Sequence, residues 1–147
     1  MPPSAAAGDA ASLGRLHHIG FVVAEIEASV AGFVRALGAK WNGEIFEDPI
    51  QKVKVTFLSA NPEEAQIELV EPAGPDAPVR AFLEKGGGLH HLCYEVGSCE
   101  DALRSLREQR GLIVKRPRPA VAFGGRRIAW GLTAEKLLLE FLETDIP

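Results

Sequence analysis

The segment LHHIGFVV beginning at Leu16 has a counterpart, LHHLCYEV, beginning at Leu89, and this echo constrains the chain more than any other feature. His18 falls on His91 at an offset of 73, and Glu68 of QIELVE falls on Glu140 of LLLEFLE at an offset of 72. Self-similarity at a fixed offset marks a repeated structural unit. At 147 residues the chain fits one domain of ordinary size, or two small halves that share a core.

Both halves read the same way. LHHIGFVV is a short β-rich run. In EIEASVAGFVRALGA the apolar residues Ile26, Val30, Phe33, Val34 and Leu37 have the spacing of one helical face, and Gly38 stands where that helix stops. KWNGEIF reads as a weak strand, KVKVTFLS alternates cleanly, and AQIELVEP is a strand closed by Pro72. A Pro- and Gly-bounded linker with a short helix follows, and then the order returns. LHHLCYEV is a strand, and SCEDALRSLREQRG a helix with Ser98 as N-cap and Gly111 as its stop. LIVKR, RRIAWGL and KLLLEFLE complete the second unit. The expectation is an α+β fold of tandem βαβββ modules: a flexible tail over 1–14, module one over 15–72, a linker over 73–88 and module two over 89–143.

Alternation along a strand decides which repeated residues can meet. His18 shares a face with Gly20 and Val22, whereas His17 goes with Ile19 and Phe21 on the other. Glu68 and Glu140 each lie inside an apolar run, where a carboxylate is costly unless solvated, paired or bound to a cation. One histidine and one glutamate from each module, related by a pseudo-twofold axis, make a candidate site for one divalent metal. Taken singly, each has a plainer reading, as a structural hydrogen-bonder or a half-exposed strand residue. Their matched offsets favour the ligand set His18, Glu68, His91 and Glu140. His17 and His90 are left as packing or outer residues beside the ligands.

Two imidazoles and two carboxylates suit cobalt, nickel, manganese, iron or zinc better than calcium, which takes mainly oxygen ligands. With a net charge of −4 the chain is a poor candidate for general nucleic-acid binding, and no apolar run approaches the roughly 20 residues of a membrane span. The start lacks a basic region followed by an apolar one, and Cys93 and Cys99 form neither a disulfide framework nor a zinc motif. A cytoplasmic setting is expected. GGG at Gly86–Gly88 precedes a strand, not a helix, so it reads as linker and not as a phosphate loop.

The pieces LHHIGFVV, KVKVTFLS, QIELVEP, GGGLHHLCYEV and LLLEFLE resemble the vicinal oxygen chelate superfamily (the glyoxalase/bleomycin resistance group), and most closely its methylmalonyl-CoA epimerase-like members. The resemblance spans Arg15 to Glu143. It implies a curved mixed sheet around a central cleft, a bound divalent metal and a homodimer. It also implies that the second histidine of each pair and the carboxylates of the closing strands are the ligands, the same four residues that the repeat selects. The activity implied is a 1,2-proton transfer through a metal-chelated enolate on a small-molecule substrate such as an acyl-CoA, with Glu68 and Glu140 doubling as bases. Alternatives on the same fold are a glyoxalase I-like lyase acting on a hemithioacetal, a drug-binding protein without turnover, and a ring-cleaving dioxygenase.

The chain departs from the pattern in three places. Where some bacterial epimerases carry an acidic base on the strand KVKVTFLS, this chain has Val55, with Glu47 and Asp48 upstream as substitutes. Neither the His-Pro after the penultimate strand nor the Gly-Val before the last is present. The segment KRPRPAVAFGGRR is basic within an acidic chain. It is either a solvated edge or a grip for a CoA phosphate or substrate carboxylate, with Arg116, Arg118 and Arg126 as the candidates.

Overall fold

The computed structural model describes residues 13–144, so the expected tail lies outside the described residues apart from Leu13 and Gly14. Module one comprises β1 (Leu16–Val22), α1 (Ile26–Leu37), β2 (Lys40–Trp41), β3 (Phe46–Asp48), β4 (Val53–Ser59) and β5 (Gln66–Pro72). The short helix α2 (Arg80–Glu84) leads to β6 (Gly88–Val96), α3 (Cys99–Glu108), β7 (Leu112–Pro119), a 3-10 turn at Val121–Phe123, β8 (Arg127–Leu132) and β9 (Leu138–Glu143). Among the described residues, no helix is long and apolar enough to cross a membrane.

One mixed sheet of nine strands runs β2-β4-β5-β1-β6-β9-β8-β7, with β3 as a further partner of β4. The modules join along an antiparallel β1–β6 seam in which His18 lies opposite Cys93 and Gly20 opposite His91. Cys93 is the repeat equivalent of Gly20, so the register itself obeys a pseudo-twofold axis. On either side a parallel pair repeats the relation: Gly20 lies against Glu68 on β5, and Cys93 against Glu140 on β9. The seam therefore brings all four repeated residues to the middle of the sheet.

The helices cover one face. Ile26 and Val30 of α1 pack on Leu58 and Leu69, while Ala102, Leu103 and Leu106 of α3 pack on Ala129, Leu139 and Phe141. Alternation then sends Glu68, Val70, Glu140 and Leu142 to the opposite, concave face. That face curls until the modules touch: Trp130 Nε1 donates to Gln51 Oε1 at 3.2 Å, and the Val121 amide approaches Asp48 Oδ2 at 3.5 Å.

Three local expectations change. KWNGEIF forms two short strands, because the Glu44 amide bonds Asn42 Oδ1 at 2.9 Å and Gly43 adopts φ 83°, which breaks the run with a turn. The second helix ends at Glu108, and the left-handed residue after it is Arg110, not Gly111. Gly111 serves a different need, since a Cβ there would press into Leu106 and the Leu132 carbonyl. The basic segment is strand as far as Pro119. Its prolines are tolerated because β7 is an edge that pairs only with β8.

A second pair of glutamates holds the helices to the sheet. Glu71 Oε1 accepts from the Ile26 amide at 2.8 Å, and Glu143 Oε2 from the Cys99 amide at 2.9 Å, each at the first residue of a helix. Both are three residues beyond a candidate ligand and so face the helices. The N-terminal residue of α1 has no side-chain cap of its own, so Glu71 satisfies an amide otherwise left without an intrahelical partner. Glu71→Ala is expected to cost about 1–2 kcal/mol, read as a lower urea midpoint at unchanged m-value.

Candidate metal centre

The paired histidines owe their arrangement to two bulges in the seam. Leu16 and His18 lie opposite the consecutive residues Tyr94 and Cys93, so His17 is an extra residue on β1. Gly20 and Phe21 lie opposite His91 and Leu89, so His90 is the extra residue on β6. A bulge breaks simple alternation and re-aims a side chain. This corrects the expectation that His17 and His90 face away. Each turns to the concave side and bonds its neighbour, His17 Nδ1 to His18 Nδ1 and His90 Nδ1 to His91 Nδ1, both at 2.8 Å.

His18, Glu68, His91 and Glu140 are all at least 95% buried, and their ligand atoms converge. His18 Nε2 lies 3.0 Å from Glu140 Oε1 and 3.3 Å from Glu68 Oε1. His91 Nε2 lies 3.2 Å from each of those oxygens and 3.2 Å from His18 Nε2. Two ring nitrogens aimed at the same oxygens and at each other are a poor hydrogen-bond network, because the rings contend for the same acceptors. They are a good coordination shell: ligands about 2.0–2.2 Å from a central ion stand roughly 3 Å apart when adjacent. The donor set therefore fits a first-row divalent cation. Gly20 makes room for the His91 ring, since a Cβ there would collide with that imidazole.

Without a cation the four groups pair as charges. Burial pushes the Glu68 carboxyl up, but the His18 charge and hydrogen bonds from both histidines outweigh it and hold the group well below its ordinary range. Burial likewise opposes ionisation of Glu140, and the hydrogen bonds from His18 and His91 lower it. For His18 and His91 burial acts downward, and the two carboxylates reverse it to a raised value. In the outer rings burial prevails, lowering His17 and bringing His90 to about 4.

A cavity of about 210 Å³ lies against the two carboxylates, walled by Val53, Val55, Val79, Phe123 and Trp130. It is smaller than the roughly 300–1,000 Å³ of drug-sized pockets, so it suits the reacting end of a ligand and not a whole coenzyme. A second, more polar cleft of about 460 Å³ shares Phe123 as a wall and contains His17, Lys40, Asn42 and Gln66. Spacing had not singled out the rings around the ligands. Phe57 lies 5.4 Å from His18 and Trp130 lies 4.7 Å from His91, and Phe123 stacks on His18 at 5.8 Å. Phe57 and Trp130 obey the same offset of 73, so the repeat carried that signal.

The other candidates are placed apart from the ligands. Arg116 and Arg118 are exposed on the edge strand, and it is Lys115 that reaches the cavity wall. Arg126 pairs with Glu95 at 3.2 Å and donates to the Glu143 carbonyl at 2.8 Å. Glu47 is exposed. Asp48 lines the cavity, but its carboxylate already accepts from the Ile50 and Gln51 amides and from Gln51 Nε2.

The chain is similar to known proteins over most of its length. The family model described as Glyoxalase/Bleomycin resistance protein/Dioxygenase superfamily matches residues 17–130. An ethylmalonyl-CoA/methylmalonyl-CoA epimerase of Cereibacter sphaeroides is 33% identical over 118 residues, covering 79% of this chain and 86% of that protein. The mitochondrial methylmalonyl-CoA epimerase of Bos taurus is 36% identical over 106 residues, covering 71% of this chain and 59% of that protein. Among solved structures, methylmalonyl-CoA epimerase from Mycobacterium tuberculosis superposes with a TM-score of 0.79 at 26% identity, covering 93% of each chain.

Two outcomes follow for the centre. His91→Ala should lower cobalt affinity at least tenfold while the protein stays folded, as read by metal titration alongside circular dichroism. The metal-free protein should also show a signed pH dependence. The raised histidines contribute stability that is complete below about pH 6.5 and lost as the pH rises through their folded values. The lowered carboxylates contribute stability that is present above about pH 4.3 and lost as the pH falls through theirs. Tm in EDTA should therefore decline in the alkaline direction from neutrality, and saturating cobalt should flatten that decline.

Proposed function

We propose that this chain, which belongs to the glyoxalase/bleomycin resistance protein/dioxygenase superfamily, is an isomerase that moves a proton at the α-carbon of a small acyl-CoA of the methylmalonyl or ethylmalonyl type. The observation that carries the reading is the convergence of two imidazoles and two carboxylates against a small, mostly apolar cavity. His18, Glu68, His91 and Glu140 would hold a divalent cation, which would supply Lewis-acid stabilisation of negative charge developing on a substrate oxygen.

The chain's own residues do the rest. An epimerase needs a proton acceptor on each side of the α-carbon, or one that moves. Val55 brings an apolar wall where an acid was sought, and the Asp48 carboxylate is committed to its own loop. Glu68 and Glu140 are the remaining acids on the cavity, and they come from opposite modules. In this reading one starts as the carboxylate and takes the α-proton, while the other starts protonated and delivers its proton to the opposite side, so that turnover exchanges their protonation states. Val53, Val79 and Phe123 keep water from the exposed carbanion. Arg116 and Arg118, exposed beyond the cavity wall, are the groups to meet the phosphates of the coenzyme. The same pair of glutamates also favours a second reading, a lyase of the glyoxalase I type that shuttles a proton between adjacent carbons of a hemithioacetal.

Proton NMR in deuterium oxide distinguishes the two. The cobalt-loaded protein with methylmalonyl-CoA should exchange the α-proton for deuterium, and Glu140→Gln should slow that exchange at least 100-fold, the usual worth of a positioned base. Absence of exchange from fully metallated protein would overturn the acyl-CoA reading, and turnover of a hemithioacetal in its place would establish the second.

A further inference from the structure

Two hydrogen bonds of equal length have no part in the scheme above: His17 Nδ1 to His18 Nδ1, and His90 Nδ1 to His91 Nδ1, each 2.8 Å. Each joins two imidazoles through like-named nitrogens, so one ring must donate and the other accept. The choice is forced where the inner ring is a ligand. A neutral imidazole that offers its Nε2 lone pair to a cation carries its proton on Nδ1. His18 and His91 therefore donate, and His17 and His90 accept. A neutral ring that accepts at Nδ1 carries its own proton on Nε2.

For His90 that remaining N–H belongs to a ring lining the cavity that contains Glu68 and Glu140. The ring is held edge-on by Phe82 at 4.8 Å and by Trp130 at 6.1 Å, and its Nε2 has no protein partner among the described residues. Nor is that nitrogen sealed away as a buried orphan. We propose that His90 works on two sides: its Nδ1 fixes the tautomer in which His91 offers Nε2 to a divalent cation, and its Nε2–H donates a hydrogen bond to an oxygen of the acyl group in the cavity. His17 secures His18 in the same way, but its ring lines the polar second cleft, so the donor toward substrate belongs to module two alone.

The substrate half of this inference rests on the acyl-CoA reading; the tautomer half does not. Asparagine mimics the Nδ1 side of histidine and glutamine the Nε2 side, so two variants of the full chain separate the roles. His90→Asn should bind cobalt as the wild type does but raise KM for methylmalonyl-CoA about tenfold with kcat little changed. His90→Gln should keep KM within about twofold at saturating cobalt yet weaken cobalt binding about tenfold, the low end of the cost of losing an outer partner. Nitrogen-15 NMR of the zinc-loaded wild type needs no variant, and should find the His90 proton on Nε2 and the His91 proton on Nδ1. A His90 proton on Nδ1 overturns the proposal, as do Asn and Gln variants that alter cobalt affinity and KM alike. If the wild type fails to act on methylmalonyl-CoA, the acyl-CoA reading and the donor role fall together. The tautomer role is then still judged by the cobalt titrations and the NMR spectrum.

Discussion

Four ionisable side chains buried at a single point set the terms for the rest of this molecule. Desolvation alone would drive each of them neutral or out to solvent. They stay because each is surrounded by the others: two potential cations meet two anions at 3.0–3.3 Å, in a cluster that could hold a metal ion. The seam between the modules follows from this requirement. Only an antiparallel β1–β6 contact flanked by parallel partners places Gly20 beside both Glu68 and His91, and Cys93 beside both His18 and Glu140. The bulges, the missing Cβ at Gly20 and the ring stacking around each imidazole all serve to hold that point in register.

The concave and convex faces divide the labour along every closing strand. On β9, Leu139 and Phe141 anchor α3 while Glu140 and Leu142 look into the cleft, and β5 treats Leu69, Glu68 and Val70 in the same way. One strand thus carries a helix on one side and a candidate ligand on the other. At the end of each strand a further glutamate meets the helix's first amide, which ties the position of the helix to that of the ligand. A shift of the helix along the sheet would move the candidate ligand with it.

Much of this was legible in the sequence, because duplication supplies an internal comparison. The tandem modules, the meeting of His18, Glu68, His91 and Glu140, and both long helices follow from periodicity and offset alone. What was not legible depends on the third dimension. Alternation placed His17 and His90 on the wrong face, because a bulge is a property of the pairing between two strands and neither strand shows it alone. The split of KWNGEIF follows from an Asn42 turn that its strand-like composition hid. Arg126 looked like a free cation for a substrate, but Glu95, 31 residues away, had claimed it. The rings at Phe57 and Trp130 were discoverable by the same offset that found the histidines, had aromatic residues been compared as well as polar ones.

The seam has one more consequence. Each module contributes one imidazole and one carboxylate, so neither half contains the whole cluster, which exists only as a property of their contact. Any affinity of these four groups for a cation would therefore report how the halves meet. The connection between them, from 73 to 87, takes part in that contact, since Val79, Phe82 and Leu83 pack against Val22, Val53, Val55 and Val70.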